Sequence, residues 1–587
     1  MRKSLLLTHQ SAGLAVLFLL VVRLAWHAGR RQRPRHDMSA AMRFSATLGH
    51  YALYAVFIAL CVTGWMTSDA FGRGAHFLDY RLPALIPADR DRGDILQQWH
   101  LAIAYGAGLL VIGHAAAALW HHFILRDDVL RSMLPQRRRT FPRGGRRLIL
   151  VLMLFLIAPG AQAIPSYTSQ TGNPCTSCHV GGYGPQLTPY GMRFKIEGYT
   201  ETGGTGPFNN FPLDLMVVSG FTHSAEGQPG GAAPHFGPND NLDFSEIGLQ
   251  FGGRITDHIG AYAEVDYTGA AGKIGPEYVD IRYASSVDWG GTPATFGLSL
   301  NSQPGLSDPF NTLPVSAFPY QTSDLALMPT GGVLLAGMLN NQVLGTNIYG
   351  FIDKSWYVDV GAYETLAKSF LQRINVDPSA GSISGAAPYW RLAYTKDLRK
   401  QDYSFGVFGF DANLHPLGLT LSADHYRDVG VDASYQYLGT RNNIVTLNAS
   451  LIHEDQFLNA TYLAGGAAAP QHRLDNVSVN ASYNFLETYG VSVGWFDNWG
   501  STDTTLYQPA AITGSRTGRP DSSGVILQAD WTPFGKEDSW GSPFVNMRIG
   551  LQYTIYTEYN GAAKNYDGYG RDASGNDTLL LFVSTVF

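Results

Sequence analysis

Residues 172–182 read GNPCTSCHVGG, and within them Cys175, Cys178 and His179 form a Cys-x-x-Cys-His run. Three chemistries use a thiol pair at this spacing. A structural zinc site needs four ligands, and Cys61, the third cysteine of the chain, stands alone in an apolar stretch, so there is no second pair. A redox dithiol belongs in a βαβ context, which the surrounding sequence lacks. The remaining chemistry fits: both sulfurs bond covalently to a haem c, and the histidine ligates its iron. His179 is then one axial ligand, and Met192 in YGMRF is the candidate for the sixth position.

A second set of iron-ligating residues comes earlier. His9, His50, His100 and His114 lie in or at the ends of apolar segments at roughly 11–28, 48–67 and 98–125. Each segment reaches the length of about 20 residues that a bilayer-spanning helix needs. Ionisable side chains in such helices are costly and usually functional. His100 and His114 are 14 residues apart, which puts about 21 Å of helix between them on nearly one face. That suits two stacked b-haems, His9 pairing with His100 on one and His50 with His114 on the other, so one or two haem b are expected. The basic runs RRQRPRH (30–36) and the tail from Arg126 should face the cytoplasm, which sends the first segment inward, the second outward and the third inward.

These residues need elements to hold them, and the two halves of the chain differ. Among 587 residues only 15% are charged, below the globular average of about 25%, and 66 are glycine. A net charge of −6 gives no reason to expect a nucleic-acid partner. After the basic run, LILVLMLFLIA (148–158) and PGAQA follow the charged, apolar, small-residue order of an export signal, with cleavage expected after Ala163. The rival is a fourth membrane helix. An export signal so far into the chain indicates two gene products, or two processed products, read as one.

From about 212 onward, period-two segments recur. AYAEVDY (261–267) puts Tyr262, Glu264 and Asp266 on one face, and YVDIRY (278–283) puts Tyr278, Asp280 and Arg282 together. Tight turns at 256–257, 290–291, 353–354 and 487–488 alternate with long Gly-, Pro- and Asn-rich connections near 225–240, 303–342, 365–387, 412–428 and 499–522. This is the rhythm of a transmembrane barrel, here of about 16 strands, and the chain ends on an alternating strand at Phe587. A soluble sandwich or propeller is the rival. The haem segment, 164–210, is too short to enclose a porphyrin unaided, so it should lodge in the barrel lumen. The expected organisation is a helical membrane domain (1–137), a signal-like segment (138–163), a haem c plug (164–210) and an antiparallel β-barrel (211–587).

Two resemblances add to this. THQSAGL…RLAWHA, ATLGHYALYAVFIALCVTGW and WHLAIAYGAGLLVIGHAAAALWHHFILRDDVLRSMLP resemble the bacterial di-haem cytochromes b of the b-561 type over residues 5–135. That family begins with a further helix carrying a His-Trp pair, which has no counterpart here, and one haem ligand goes missing with it. The resemblance implies an inner-membrane cytochrome b with quinol as a redox partner. Residues 164–587, through QTG…CTSCH…LTPYGMRFKIEGY and NSQPGLSDPFNTLPVSAFPY, resemble the fused monohaem cytochrome–porins of outer-membrane iron oxidation. That implies electron transfer across a Gram-negative envelope, from extracellular Fe(II) or another donor to a periplasmic cytochrome or similar carrier, and an Fe(II) oxidase activity.

Glu264, Asp266 and Asp280 are hard oxygen ligands that could attract Fe²⁺, although every porin lines its lumen with polar groups. The same holds for His223, His235, His415 and His425. The competing function is a transport porin with a structural, sensory or gating haem, fused to a haemless cytochrome b remnant.

Overall fold

The computed structural model describes residues 9–11, 13–14, 16–17, 20, 40–77, 80–123, 165–204, 212–310, 320–376, 381–416, 419, 422–539, 541–542 and 545–587; in 40–50 and much of 105–123 it describes backbone alone. The signal-like segment, its cleavage position and both basic runs lie outside these residues. The chain divides into two compact units, Met1–Ala161 and Gln162–Phe587.

In the first unit two long helices, α1 (Ala40–Ala70) and α2 (Arg90–Phe123), pack together. The segment Tyr51–Ala70 of α1 is long and apolar enough to cross a membrane. Both helices start well before the apolar stretches at 48 and 98. Apolar patterning marks the lipid-facing length, whereas α2 begins in polar sequence after Asp89, whose Oδ1 accepts the Arg92 N–H at 3.1 Å. The described part of 9–20 is helical. Gln10 ties it to the end of α1, donating to Ser68 Oγ at 2.6 Å and accepting the His76 N–H at 3.1 Å.

The second unit is a closed antiparallel barrel. Its strands are β1 (Leu213–Ser224), β2 (Asn241–Arg254), β3 (Ile259–Thr268), β4 (Lys273–Trp289), β5 (Thr292–Asn301), β6 (Val343–Ile352), β7 (Trp356–Thr365) and β8 (Ala387–Asp397). They continue as β9 (Gln401–His415), β10 (Asp424–Tyr437), β11 (Asn443–Phe457), β12 (Gln471–Phe485), β13 (Tyr489–Gly500), β14 (Ser522–Trp531), β15 (Asn546–Glu558) and β16 (Thr578–Val586). Each pairs with its sequence neighbours, and β16 pairs back onto β1 with Phe582 opposite Gly220. The count is the expected 16, and a closed sheet excludes the sandwich and propeller.

The two-residue turns at Gly290-Gly291, Asp353-Lys354 and Leu486-Glu487 have positive φ at both positions, the twist a tight hairpin requires. Outward positions are apolar, among them Ile281, Tyr283, Val358, Val360, Val429 and Val431. Inward positions are buried and polar, among them Asp280, Arg282, Asp359, Arg391 and Asp432. Trp289, Trp356, Tyr437, Phe485, Tyr489 and Trp531 stand exposed beside the short-turn ends, as an interfacial aromatic girdle does.

The lumen is filled. Residues 165–204 fold inside it as α3 (Ser166–Thr171), α4 (Cys175–Cys178), a 3₁₀ turn (Val180–Gly182) and α5 (Pro189–Ile196). The β5–β6 connection also turns inward. Its Leu334 and Leu335 N–H groups donate to Glu454 Oε2 at 2.7 Å and Asp428 Oδ2 at 3.0 Å on the wall. Val333, Leu335 and Leu339 pack there with Tyr363, Phe408, Phe410 and Ile452.

Candidate functional site

Two potential haem sites emerge, one per unit. In the helical unit the His9 and His100 rings lie with centroids 6.2 Å apart and planes at 89°. Two imidazole nitrogens each about 2 Å from one metal give a centroid separation of about 6 Å. His100 Nδ1 lies 3.0 Å from the Leu60 carbonyl and 3.2 Å from Thr63 Oγ1. Donation of the Nδ1 proton to that carbonyl fixes the tautomer and frees Nε2 as a ligand, the usual arrangement around a metal-bound histidine. Gly64 makes room for the ring: a Cβ there would sit 2.9 Å from His100 Cε1. The residues fit a haem b between His9 and His100. His114 lies on α2, half-buried. The side chain of His50 falls outside the described ones.

In the barrel unit, Cys175 and Cys178 bracket the single turn of α4 and His179 follows it. Both thiols are free. All three side chains are half-buried although they sit inside the barrel, so they border interior space. Burial pushes the Cys178 thiol up to about 12 and raises Cys175 as well, so neither site welcomes a thiolate. A thioether carries no charge and suits this setting. Burial also pushes the His179 imidazole down to about 4, partly offset by the nearby Gln186 carbonyl, and its Nδ1 is buried without a hydrogen-bond partner. A neutral imidazole has one nitrogen lone pair to offer, which is what an axial ligand requires. The donor set therefore fits a covalently held haem. Met192 is 4% exposed and packs with Leu187, Phe310, Tyr349 and Tyr357.

The wall grips this plug from many sides. Asp214 accepts from Ser166 N and Oγ at 2.9 and 2.8 Å, and Tyr167 donates to the Ala261 carbonyl at 2.9 Å. Tyr349 reaches the Ile196 carbonyl at 2.7 Å, Gln436 the Leu187 carbonyl at 2.8 Å and Asn546 the Gly182 carbonyl at 2.7 Å. Tyr183 meets Ser584 on β16. Lys195 donates to the Asp308 carbonyl at 2.8 Å, and burial pushes its ammonium down to about 8.

Two buried arginines complete the lock. Arg391 pairs with Asp432 at 2.7 Å and with Asp308 at 3.2 Å, joining the wall to the inward loop. Arg282 pairs with Asp280 at 2.8 Å and donates to the Ser307 carbonyl at 2.9 Å.

Of the expected lumen carboxylates, Asp280 is taken up by this lock: it also accepts from Tyr199 at 2.7 Å and Ser299 at 2.9 Å. Glu264 and Asp266 stand elsewhere, together with Glu246. His223 contacts Asp240 at 2.7 Å and His415 Nδ1 the Ser422 carbonyl at 2.8 Å beside the long loops, and His425 contacts Asp411 at 3.0 Å across the β9–β10 pair. Sequence reasoning passed over Glu246, Gly64 and the Arg391 pairs.

Helices that present paired histidines within a membrane define the first unit as a b-type cytochrome. Residues 1–136 match the prokaryotic cytochrome b561 family, and the chain belongs to it through that unit. The probable superoxide oxidase CybB of Yersinia pestis is 32% identical over 133 residues, 22% of this chain and 74% of the relative. Cytochrome b561 homolog 2 of Escherichia coli (strain K12) is 30% identical over 128 residues, 22% of this chain and 68% of the relative. The family binds haem b and transfers electrons.

For the barrel, the outer membrane channel DcaP of Acinetobacter baumannii aligns over 64% of this chain and 96% of its own, at 14% identity and a TM-score of 0.37. The anion-selective porin from Comamonas acidovorans aligns over 64% and 98%, at 11% identity and 0.37. A membrane cytochrome unit and a closed barrel with an apolar exterior place the chain in a Gram-negative envelope.

Proposed function

We propose that residues 164–587 form an electron conduit through the outer membrane, taking electrons from an extracellular donor, Fe²⁺ foremost, and passing them to a periplasmic cytochrome or similar carrier. One observation supports this above the rest: Cys175, Cys178 and His179 sit inside a closed barrel on a segment bonded to its wall. The family resemblance of 164–587 points the same way.

In each turnover Fe²⁺ becomes Fe³⁺ and one electron reaches the carrier. A haem held by Cys175, Cys178 and His179 supplies the one-electron centre between them. The protein's own part is to keep His179 neutral, exclude bulk solvent with the plug, and fix the plug by Arg282, Arg391 and their carboxylates. Met192 would be the residue to complete the iron's ligand set in this reading; it packs among Leu187, Phe310, Tyr349 and Tyr357.

The helical unit, in the inner membrane, would hold a haem b between His9 and His100, with His50 and His114 for a second, and a haem held there would supply one-electron chemistry with quinol as redox partner. Superoxide, named in the Yersinia relative, is a further donor for this unit.

The test is anaerobic addition of Fe²⁺ to the detergent-purified barrel. The haem should become reduced, with its absorbance bands sharpening. A haem that stays oxidised while small solutes still pass overturns the conduit. Membrane fractionation with haem staining should give an outer-membrane band near the size of 164–587; a full-length inner-membrane band contradicts the division after Ala163.

A further inference from the structure

On the wall between plug and long-loop rim, two β-bulges flank one strand. Between β1 and β2 the register slips at Val218/Ser219, leaving Ser245 unpaired, so Glu246 turns inward beside Gly248 and Gln250. Between β3 and β4 it slips at Glu264/Val265, leaving Glu277 unpaired. Bulges re-aim side chains and gather beside functional sites. The strand between them carries Glu264 and Asp266.

The result is a convergence of oxygens. One carboxylate oxygen from each of Glu246, Glu264 and Asp266 lies within 4.8 Å of the others. Gly248 forms the floor. A Cβ there would sit 2.4 Å from Asp266 Oδ1, 2.8 Å from Glu264 Oε1 and 3.3 Å from Glu246 Oε1. Glu264 is oriented by its neighbours, accepting from Gln250 Nε2 at 2.6 Å and from the Tyr262 hydroxyl at 2.7 Å. Asp266 is different. It is 4% exposed, yet both of its oxygens are buried without a hydrogen-bond partner, as is Glu246 Oε1. No Lys or Arg is ion-paired with any of the three among the described residues. Asp266, buried with no donor at either oxygen, calls for a cation, and the all-oxygen set it forms with Glu246 and Glu264 selects a hard divalent one.

We infer that Glu246, Glu264 and Asp266 form a binding site for a hard divalent metal ion inside the lumen. The site deepens the conduit reading, because Fe²⁺, a borderline cation, also accepts carboxylate oxygens and can compete there, which gives the donor a seat on the wall. An aromatic line leads from it to the plug. Tyr262, bonded to Glu264, lies 6.5 Å from the Tyr167 ring, and Tyr167 stacks on Tyr199 at 5.5 Å and 16°. Thr168, next in the chain, has its hydroxyl 3.8 Å from the Cys175 sulfur. Ala261, which Tyr167 contacts, and Asp266 are about 17 Å apart along β3.

The experiment titrates Mn²⁺ into the purified, folded barrel and reads free Mn²⁺ by EPR, with Fe²⁺ and Ca²⁺ as anaerobic competitors. One saturable site is expected, displaced by Fe²⁺ and weakened at least tenfold in both Asp266→Asn and Glu264→Gln. Asp402→Asn, a lumen carboxylate elsewhere on the wall, should leave it unchanged. Heat-modifiable migration on gels confirms that each variant has folded. Absence of a saturable site in the wild-type barrel overturns the inference, as does equal binding in all variants. Mn²⁺ binding does not depend on haem reduction, so a bound metal with an unreduced haem would sink the conduit and leave this site standing.

Discussion

The two units offer an iron-porphyrin a place by opposite means, the first as a unit of the haem b-binding cytochrome b561 family and the second in the reading proposed above. The helical unit draws His9 and His100 from helical segments far apart in sequence and brings their rings to 6.2 Å. Its ligand geometry depends on packing, on Gly64 and on the Leu60 carbonyl. In the plug, Cys175, Cys178 and His179 come from five consecutive residues, so a haem held there would take its covalent anchors and one ligand without any tertiary structure. Its barrel supplies enclosure and anchorage instead. Where the fold makes the site, small packing errors reach the iron. Where the sequence makes it, they should reach only the surroundings.

This contrast can be broken at several points. The largest effect is expected from Cys175→Ala with Cys178→Ala, which should abolish covalent haem staining while the barrel still folds and stays heat-modifiable. A barrel that fails to assemble would show that the plug site depends on the fold after all. His100→Ala should remove the b-type absorbance attributed to the His9–His100 pair while covalent haem staining persists. Retention of that absorbance would remove His100 from the ligand set.

Arg391→Ala removes the cation that Asp432 and Asp308 share in a buried site, which costs about 3–5 kcal/mol and should lower the barrel's denaturation midpoint. Gly64→Ala pushes on the His100 ring and should weaken haem b retention by about 10–100-fold, read as loss on dilution or apo-myoglobin competition. Tyr199→Phe deletes one hydrogen bond to Asp280, worth about 1 kcal/mol, and should leave haem c content untouched. A fall in haem content there would blur the distinction.

How much of this could be read from sequence follows from what determines each feature. The Cys-x-x-Cys-His run stands out in the sequence because the chemistry it is proposed to carry is local. The barrel is legible because strand period and turn residues are local too: Gly290-Gly291 and Asp353-Lys354 sit where tight hairpins need positive φ. The plug's place in the lumen follows from 164–210 being too short to cover a haem. Glu246 was hidden because the bulge at Ser245 breaks the period-two count between Asp243 and Glu246, both of which face inward. Asp280 read as a candidate metal ligand although Arg282, its ion-pair partner, shares its face two residues on; only its Tyr199 bond, 81 residues away, lay beyond a spacing rule. The same distance effect concealed the Arg391 triad and the role of Gly64.

The seam where β16 meets β1 carries one more consequence. The plug is bonded to both edges of that seam, through Ser166 to Asp214 on β1 and through Tyr183 to Ser584 on β16. The final hydrogen bonds of the circle, between Leu215 and Phe587, close beside them at 2.8 and 3.1 Å. A cylinder zipped shut around its contents sets an order of manufacture. If the plug carries a haem as proposed, the haem would have to be attached first, and the wall would seal over it afterwards.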